Sequence, residues 1–145
     1  MSFPTPRIRV AAYVIRKSDT GAQLLVFDHA DYPGAGTQVP AGGVAAGESL
    51  PEAVRREVAE ETGLTDVTVV AEVGREDKPH PDTGRPQRTT YFHLLVPAGG
   101  PDSWMHHVSG EGEDAALRFA CRFTPLPLPQ QLAGNQDVFL GQIDY

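Results

Sequence analysis

One cysteine, Cys121, is present among the 145 residues, so the chain cannot form an internal disulfide. No group of cysteines and histidines has the spacing of a zinc finger. Positive charge is also scarce, because 12 lysines and arginines stand against 19 aspartates and glutamates, for a net charge of −7. A protein with that charge repels a phosphate backbone. Nucleic acid is therefore not expected among its partners.

Long apolar runs are missing as well. The longest, such as Val10–Ile15 and Leu94–Pro97, fall far short of the ~20 residues that cross a bilayer. The first residues contain Pro4 and Pro6 and no apolar stretch, so they do not resemble a signal peptide. These absences predict a cytoplasmic protein with no membrane partner.

The composition that remains suits one globular domain, residues 1–145. Hydrophobic residues make up 40% of the chain and charged residues 21%, which is close to ordinary globular usage. A chain of this length buries roughly 68–70% of its unfolded surface when it folds, which is enough for its own core. The 15 glycines and 13 prolines predict many tight turns between short elements.

Segments rich in β-branched and aromatic residues predict a sheet. The expected strands are Ile8–Ile15, Gln23–Phe27, a short Thr37–Val39, Val67–Val73, Arg88–Val96 and Leu117–Phe123. Residues 74–86 and 98–114 are expected to be loops, and a weak helix is expected near residues 135–143. A mixed sheet with one strong helix indicates an α+β or three-layer fold.

One segment has the signature of a helix at both ends. Ser49 and Glu52 form a capping box, in which each side chain binds a backbone N–H that the helix leaves without a partner. Gly63 follows the last helical residues as a left-handed stop. Apolar residues spaced by four predict the face that packs on a core: Leu50, Val54 and Val58.

The same helix has three carboxylates on one side, those of Glu57, Glu60 and Glu61. At 100° per residue they fall within an arc of about 100°. Charges of one sign so close together repel, and a divalent cation removes that repulsion. A set of oxygen ligands suits Mg²⁺ or Mn²⁺ rather than zinc. The alternative is an ordinary solvated acidic face, and the carboxylates alone leave both interpretations open.

The spacing around these carboxylates resembles that of a known family. Five residues separate Gly42 from Glu48, seven separate Glu48 from Arg56, and residues 56–64 read Arg-Glu-Val-Ala-Glu-Glu-Thr-Gly-Leu. This matches every fixed position of the Nudix box, G-x5-E-x7-R-E-U-x-E-E-x-G-U, in which U is aliphatic. The probability of a chance match is below about 10⁻⁷. The chain is therefore similar to the Nudix hydrolases, which include the MutT type.

The resemblance implies a fold and an activity. The fold is an α/β/α sandwich with a mixed β-sheet and the Nudix loop–helix–loop. The activity is hydrolysis of a nucleoside diphosphate linked to another group, X, with Mg²⁺ or Mn²⁺ as cofactor. The partner is then a small-molecule nucleotide, and the oligomeric state stays open, with a homodimer among the alternatives.

The resemblance also implies roles for individual residues. The expected metal ligands are Glu57, Glu60, Glu61 and the backbone carbonyl of Ala41. Arg56 is expected to orient the carboxylates and Glu48 to brace the loop, while Gly42 and Gly63 are structural positions of the box.

The general base has several candidates. In some relatives it is the first glutamate of the box helix, here Glu57, and in others it lies on a distant loop. Here residues 111–114 precede the last expected strand, so Glu113 is the first alternative and Glu111 the second, with Glu111 also a candidate for contact with substrate. A plain polar turn is the other interpretation of this segment.

Other residues are candidates for contact with the substrate. Arg75, Arg85 and Arg88 bracket the loop after the helix, where guanidinium groups can clamp phosphate oxygens. Four histidines and a tryptophan lie in expected loops, where exposure or packing is the commoner explanation: His29, His80, His106, His107 and Trp104.

The identity of X depends on residues outside the strict box. Pro40-Ala41-Gly42 resembles the approach to the box in hydrolases of ADP-ribose and other nucleoside-diphosphate sugars, whereas the MutT type more often has Pro-Gly-Gly. A sugar nucleotide is therefore the leading substrate class. The alternatives are a nucleoside triphosphate and a sensor module that binds a nucleotide without hydrolysing it.

Overall fold

The computed structural model describes residues 5–108 and 117–143, and these ranges contain one mixed sheet of seven strands. The strands are β1 (Arg7–Ser18), β2 (Gly21–His29), β3 (Ala41–Gly43), β4 (Thr68–Asp77), β5 (Gln87–Val96), β6 (Ser103–His107) and β7 (Arg118–Pro125). The order across the sheet is β4-β5-β1-β2-β7-β6, with β3 paired to β1. β1 and β5 are parallel, and the other pairs are antiparallel.

The short strand expected at Thr37–Val39 is not formed. Gln38 makes a single antiparallel bridge to Phe27, and the chain joins the sheet only afterwards, as β3. Ala41, Gly42 and Gly43 have little preference for extended structure, so pairing with β1 decides this element rather than local propensity.

Both expected loops are shorter than predicted because strand ladders extend into them. β4 continues to Asp77, which pairs with Arg88 at the start of β5. The loop predicted at residues 98–114 contains β6, an edge strand that pairs with β7 from Ser103 to His107. Alternate residues of β6 are exposed, as expected for an edge strand with one covered face.

The predicted helix is confirmed as α1, Leu50–Thr62. Its capping box is complete, since Glu52 N–H donates to the Ser49 hydroxyl and Ser49 N–H donates to the Glu52 carboxylate. Gly63 adopts the left-handed conformation, with φ of 81°, and ends the helix. No helix within the described ranges has the length and apolar character needed to span a bilayer.

The sheet has a core on each face. On one face, Val54 and Val58 of α1 pack with Val10 and Val14 of β1. On the other face, the alternate residues of β1, such as Tyr13, pack against the segment that follows β7. The layers thus agree with the mixed three-layer fold expected from the sequence.

The segment after β7 forms two short 3₁₀ helices, Ala133–Asn135 and Leu140–Gln142, where one weak helix was predicted. Gly134 and Asn135 both have positive φ, so a continuous α-helix cannot pass through them. The segment is pinned to the loop before β3, because Val39 N–H donates to the Gln136 side-chain oxygen at 2.8 Å.

β1 is shared between two partners, and this positions the site. Its C-terminal half pairs with β2 from Ile15 to Ser18, while Arg9 to Ala11 pair with β3. The two long strands therefore separate where β3 is inserted. The end of α1 that holds the acidic residues lies beside this gap.

Candidate active site

A cleft of about 570 Å³ lies at the gap between β1 and β2. Its walls are the start of β1, the end of β2 with Phe119 of β7, residues 41–45, and the acidic side of α1. The fold therefore brings both halves of the box, which are separate in sequence, to one surface.

Arg56 connects the two halves through its guanidinium. Nε and Nη2 donate to the two carboxylate oxygens of Glu48 at 2.8 and 2.9 Å, which is a bidentate pair. Nη2 also donates to the Gly43 carbonyl at 2.8 Å. Nη1 donates to Glu57 at 2.8 Å and to Glu60 at 3.2 Å. Arg56 thus connects the loop to the helix and hydrogen-bonds two of the helix carboxylates.

These contacts shift the pKa values of the network. The hydrogen bond from Arg56, together with one from Ala45 N–H, lowers the pKa of Glu48 to about 2. The same bond to Glu48 raises the pKa of Arg56. Burial raises the pKa of Glu57, against the opposing effect of Arg56. Glu48 and Arg56 are therefore both charged at neutral pH, and Glu57 is the least exposed of the three carboxylates that bind Arg56.

Gly42 leaves the space that the Glu57 carboxyl fills. A Cβ at position 42 would lie 2.2 to 2.4 Å from the three atoms of that carboxyl group, far inside van der Waals contact. The box glycine is thus explained by a close approach between β3 and α1 rather than by an unusual backbone angle.

Glu61 is placed differently from the other two carboxylates of the box. One of its oxygens accepts a hydrogen bond from Ala41 N–H at 2.8 Å. This bond holds the residue that precedes Gly42 against the end of the helix. Ala41 also lines the cleft, as its expected role in metal binding requires.

Arg7 and Arg9 of β1 also line the cleft, and sequence reasoning missed both. The Arg9 Nε atom is buried and has no hydrogen-bond partner within the described ranges. Burial lowers the pKa of Arg9, and the charge of Arg7 acts in the same direction. Two guanidinium groups in a cleft that is also lined by the acidic side of α1 suit a bound anion. The available signal was their spacing of two on a strand, which places both on one face.

The donor types in the cleft fit a hard divalent cation. Glu57, Glu60 and Glu61 line it together with Ala41, so carboxylate and carbonyl oxygens are the groups at hand. Within the described ranges, no three acidic, histidine or cysteine side chains converge closely enough to mark a metal centre. Glu57 and Glu60 are instead drawn to Arg56, each through one oxygen. Since a carboxylate has two oxygens, these bonds are compatible with a cation at the other.

The family model of the NUDIX domain matches residues 5–139. The chain belongs to the Nudix family. With the box complete, it is a Nudix-type hydrolase. No curated protein sequence matches the chain significantly.

Solved structures of Nudix proteins share the fold. The Nudix domain of Shewanella oneidensis NrtR in complex with ADP ribose is 19% identical, with a TM-score of 0.70 over 97% of this chain and 87% of that chain. A UDP-X diphosphatase is 16% identical, with a TM-score of 0.65 over 98% and 63% of the two chains. A MutT Nudix hydrolase from Burkholderia pseudomallei is 23% identical, with a TM-score of 0.59 over 97% and 99%. At these identities the comparison shows the common fold.

The predicted substrate arginines Arg75 and Arg88 do not line this Nudix cleft. Arg75 pairs with Glu72 at 3.2 Å, and Arg88 pairs with Asp77 at 2.8 Å, both as exposed ion pairs on the β4–β5 ladder. The arginines that do line the cleft are Arg7 and Arg9. Glu111 and Glu113, the candidates for a distant base, lie outside the described residues.

Most of the other candidates have packing roles in the Nudix fold. Trp104 Nε1 donates to the Thr62 carbonyl at 2.8 Å, and His106 Nε2 lies 3.0 Å from the Glu60 carbonyl, so both hold the end of α1. His80 stabilises its own turn, where it accepts from two backbone N–H groups. His29 differs, since its ring packs edge-on against Phe119 and lines the cleft.

Proposed function

We propose that this protein hydrolyses a pyrophosphate bond in a nucleoside diphosphate linked to a group X, and that X is a sugar, as in ADP-ribose. The supporting observation is that the acidic side of α1 and the two arginines Arg7 and Arg9 line the same cleft. A diphosphate needs a cation where the phosphorus is attacked and donors for the remaining oxygens. The cleft has groups for both.

Mg²⁺ or Mn²⁺ is the proposed cofactor. Glu57, Glu60, Glu61 and the carbonyl of Ala41 are the residues that would hold it. A divalent cation bound there would neutralise phosphate oxygens, orient the diphosphate and lower the pKa of water.

The side chains of the protein divide the remaining work. Arg56 holds Glu57 and Glu60 in place through its hydrogen bonds, so these carboxylates need little reorganisation when substrate binds. Arg7 and Arg9 bind phosphate oxygens, which satisfies the buried Nε of Arg9. The proton of the attacking water goes to a carboxylate, with Glu57 and Glu113 as the candidates. The products are a nucleoside monophosphate and X-phosphate.

The sugar class is supported by sequence and by structural likeness. Pro40-Ala41-Gly42 resembles the approach to the box in sugar-nucleotide hydrolases. Two solved structures with this fold are described as a complex with ADP ribose and as a UDP-X diphosphatase. The likeness to a MutT hydrolase over nearly the full length of both chains favours the triphosphate alternative. A substrate panel distinguishes the two.

The test is a hydrolysis screen with Mg²⁺ over nucleotide sugars, nucleoside triphosphates and dinucleoside polyphosphates. We expect Glu60→Gln to lower kcat by at least about 100-fold, the loss typical of one electrostatic group aimed at a reacting centre. Glu72→Gln is the matched control, since it makes the same change at an exposed carboxylate on β4 outside the cleft. It should retain the activity of the unmodified protein.

Each outcome has a separate meaning. Full activity of Glu60→Gln at saturating Mg²⁺ would show that the metal ligands are wrongly assigned. Preferred hydrolysis of triphosphates would replace the sugar by the alternative substrate class. Absence of hydrolysis across the panel, with Mg²⁺ binding measured separately, would indicate a nucleotide-binding module instead of an enzyme for these substrates.

A further inference from the structure

A second cavity of about 320 Å³ adjoins the catalytic cleft. Arg9 and Ala41 line both cavities, so they form the boundary between them. A substrate with its diphosphate beside Arg9 therefore has room for one of its ends in this second cavity.

The floor of the second cavity is set by strand register. β1 and β5 are parallel, and Arg9 lies beside Thr89 while Arg7 lies beside Gln87. Neighbours in register point to the same face of a sheet, so Gln87 and Thr89 continue the row that Arg7 and Arg9 begin. Glu76 of β4 is the next residue across from Thr89 and lines the same cavity.

The lining mixes apolar residues with polar groups that have hydrogen-bonding capacity to spare. Gln87 and Thr89 are half-buried, and within the described ranges their side chains make no hydrogen bond. An amide offers donors and acceptors together, and a hydroxyl offers both as well. Such a pair of groups matches the hydroxyls of a ligand.

The second cavity has no ring available for stacking a base within the described ranges. Tyr91, its one aromatic residue there, is 3% exposed, and its ring meets Phe139 edge-on. Recognition of a nucleobase ordinarily uses an aromatic face, which is absent from this lining. A second nucleoside is therefore disfavoured in this position.

The charge and the volume of the second cavity limit which class of ligand it can bind. Lys78 and Glu76 have opposite charges, so apart from Arg9 the lining has no excess of either sign. The volume stands at the lower end of the roughly 300–1,000 Å³ typical of small-ligand sites. A neutral, hydroxylated group of about monosaccharide size fits both conditions.

We propose that this second cavity binds the X group of the substrate, and that Gln87 and Thr89 select a neutral sugar through hydrogen bonds to its hydroxyls. The inference rests on the proposed function and adds which part of the chain determines X. With ADP-ribose, water cleaves the P–O–P bridge, which gives AMP and ribose 5-phosphate. The ribose 5-phosphate half would leave from the second cavity.

The test uses the two products as separate probes of the two cavities. In Gln87→Leu/Thr89→Val we expect the KM for ADP-ribose and the inhibition constant of ribose 5-phosphate to rise at least about 10-fold, as for the loss of two hydrogen bonds. The inhibition constant of AMP and the kcat should change less than about 2-fold, because the change affects binding of one end only. If the double variant does not fold, Thr89→Val alone replaces it. In that variant both the KM for ADP-ribose and the inhibition constant of ribose 5-phosphate should rise about 3- to 10-fold.

Thr68→Val is the matched control, since Thr68 is exposed at the far end of β4 and lines neither cavity. A rise in the inhibition constant of AMP instead of ribose 5-phosphate would overturn the proposal, since the cavity would then hold the nucleoside. If neither constant changes while Glu60→Gln still abolishes hydrolysis, the enzyme assignment stands and the second cavity does not bind substrate. If the unmodified protein hydrolyses no nucleotide sugar, the proposal fails together with the sugar class.

Discussion

Replacing Gly42 with alanine tests the tight contact between β3 and α1. The added methyl carbon would lie 2.2 Å from the Glu57 carboxyl carbon, whereas ordinary contact begins near 3.4 Å. The φ of Gly42 is not in the left-handed region, so alanine is compatible with the backbone there. The change therefore acts on the Glu57 carboxylate and not on the local chain.

The expected magnitude follows from these distances. The Glu57 carboxyl must move by about 1 Å, and a misplacement of that size can cost about 100-fold in rate. The movement also disturbs the 2.8 Å hydrogen bond from Arg56. We expect kcat with Mg²⁺ to fall about 100-fold, while the circular dichroism spectrum stays unchanged.

Gly141→Ala is the matched control, because a Cβ at Gly141 meets nothing within 4 Å and that glycine also lacks a positive φ. Its kcat should equal that of the unmodified protein. A Gly42→Ala enzyme within about threefold of full activity would refute the reasoning, since the Glu57 carboxylate would then tolerate displacement.

Three further outcomes are expected. Arg56→Lys should lower activity or Mg²⁺ affinity about 10- to 100-fold in a metal titration. The reason is that lysine cannot bind both oxygens of Glu48 and the Gly43 carbonyl at once. An unchanged titration would contradict this role. The pKa of Glu48 is about 2 in the folded protein, against its ordinary value of 4.5. The unfolded state therefore binds more protons between these values, and stability should fall as the pH drops from 4.5 towards 2. Glu48→Gln should flatten that part of the pH–stability curve, and an equally steep curve would show that other groups cause it. Val58→Ala should lower the free energy of unfolding, measured in urea, by about 2 kcal/mol because Val58 is fully buried. Val70→Ala changes a half-exposed position and should lower it much less. Equal losses of stability in the two variants would count against the assigned core.

The sequence predicts α1 well because the residues that begin and end this helix lie next to it. The ends of α1 depend on Ser49, Glu52 and Gly63, which act within a few residues of the helix they limit. The network around Arg56 was predictable for another reason, since the spacing of the box is itself the signature. The helix ends are thus decided by nearby residues, whereas the network was expected from the motif and is assembled by the fold.

Elements that depend on pairing with distant strands were missed. β3 consists of Ala41, Gly42 and Gly43, and it is a strand because β1 has a free edge at that point. Arg9 was missed because its spacing from Arg7 places the two on one face of β1 but does not reveal that this face borders the cleft. Arg75 and Arg88 were expected beside a loop, whereas the β4–β5 ladder continues there. Arg88 forms an ion pair with Asp77 across the ladder, and Arg75 forms one with Glu72 on its own strand.

The pinning of the segment after β7 to the loop before β3 links distant parts of the chain. Ala133 N–H donates to the Thr37 carbonyl, the Gln130 side chain donates to the Thr37 hydroxyl, and Gln136 accepts from Val39 N–H. Amide hydrogens whose hydrogen bonds break in the same local opening exchange with solvent together. The loop that leads to Ala41 should therefore show the same exchange protection as residues 133–136. When this segment undocks, the loop before Ala41 loses these hydrogen bonds. The docked fraction of molecules therefore limits the fraction with an assembled cleft, and with it the apparent affinity for any ligand.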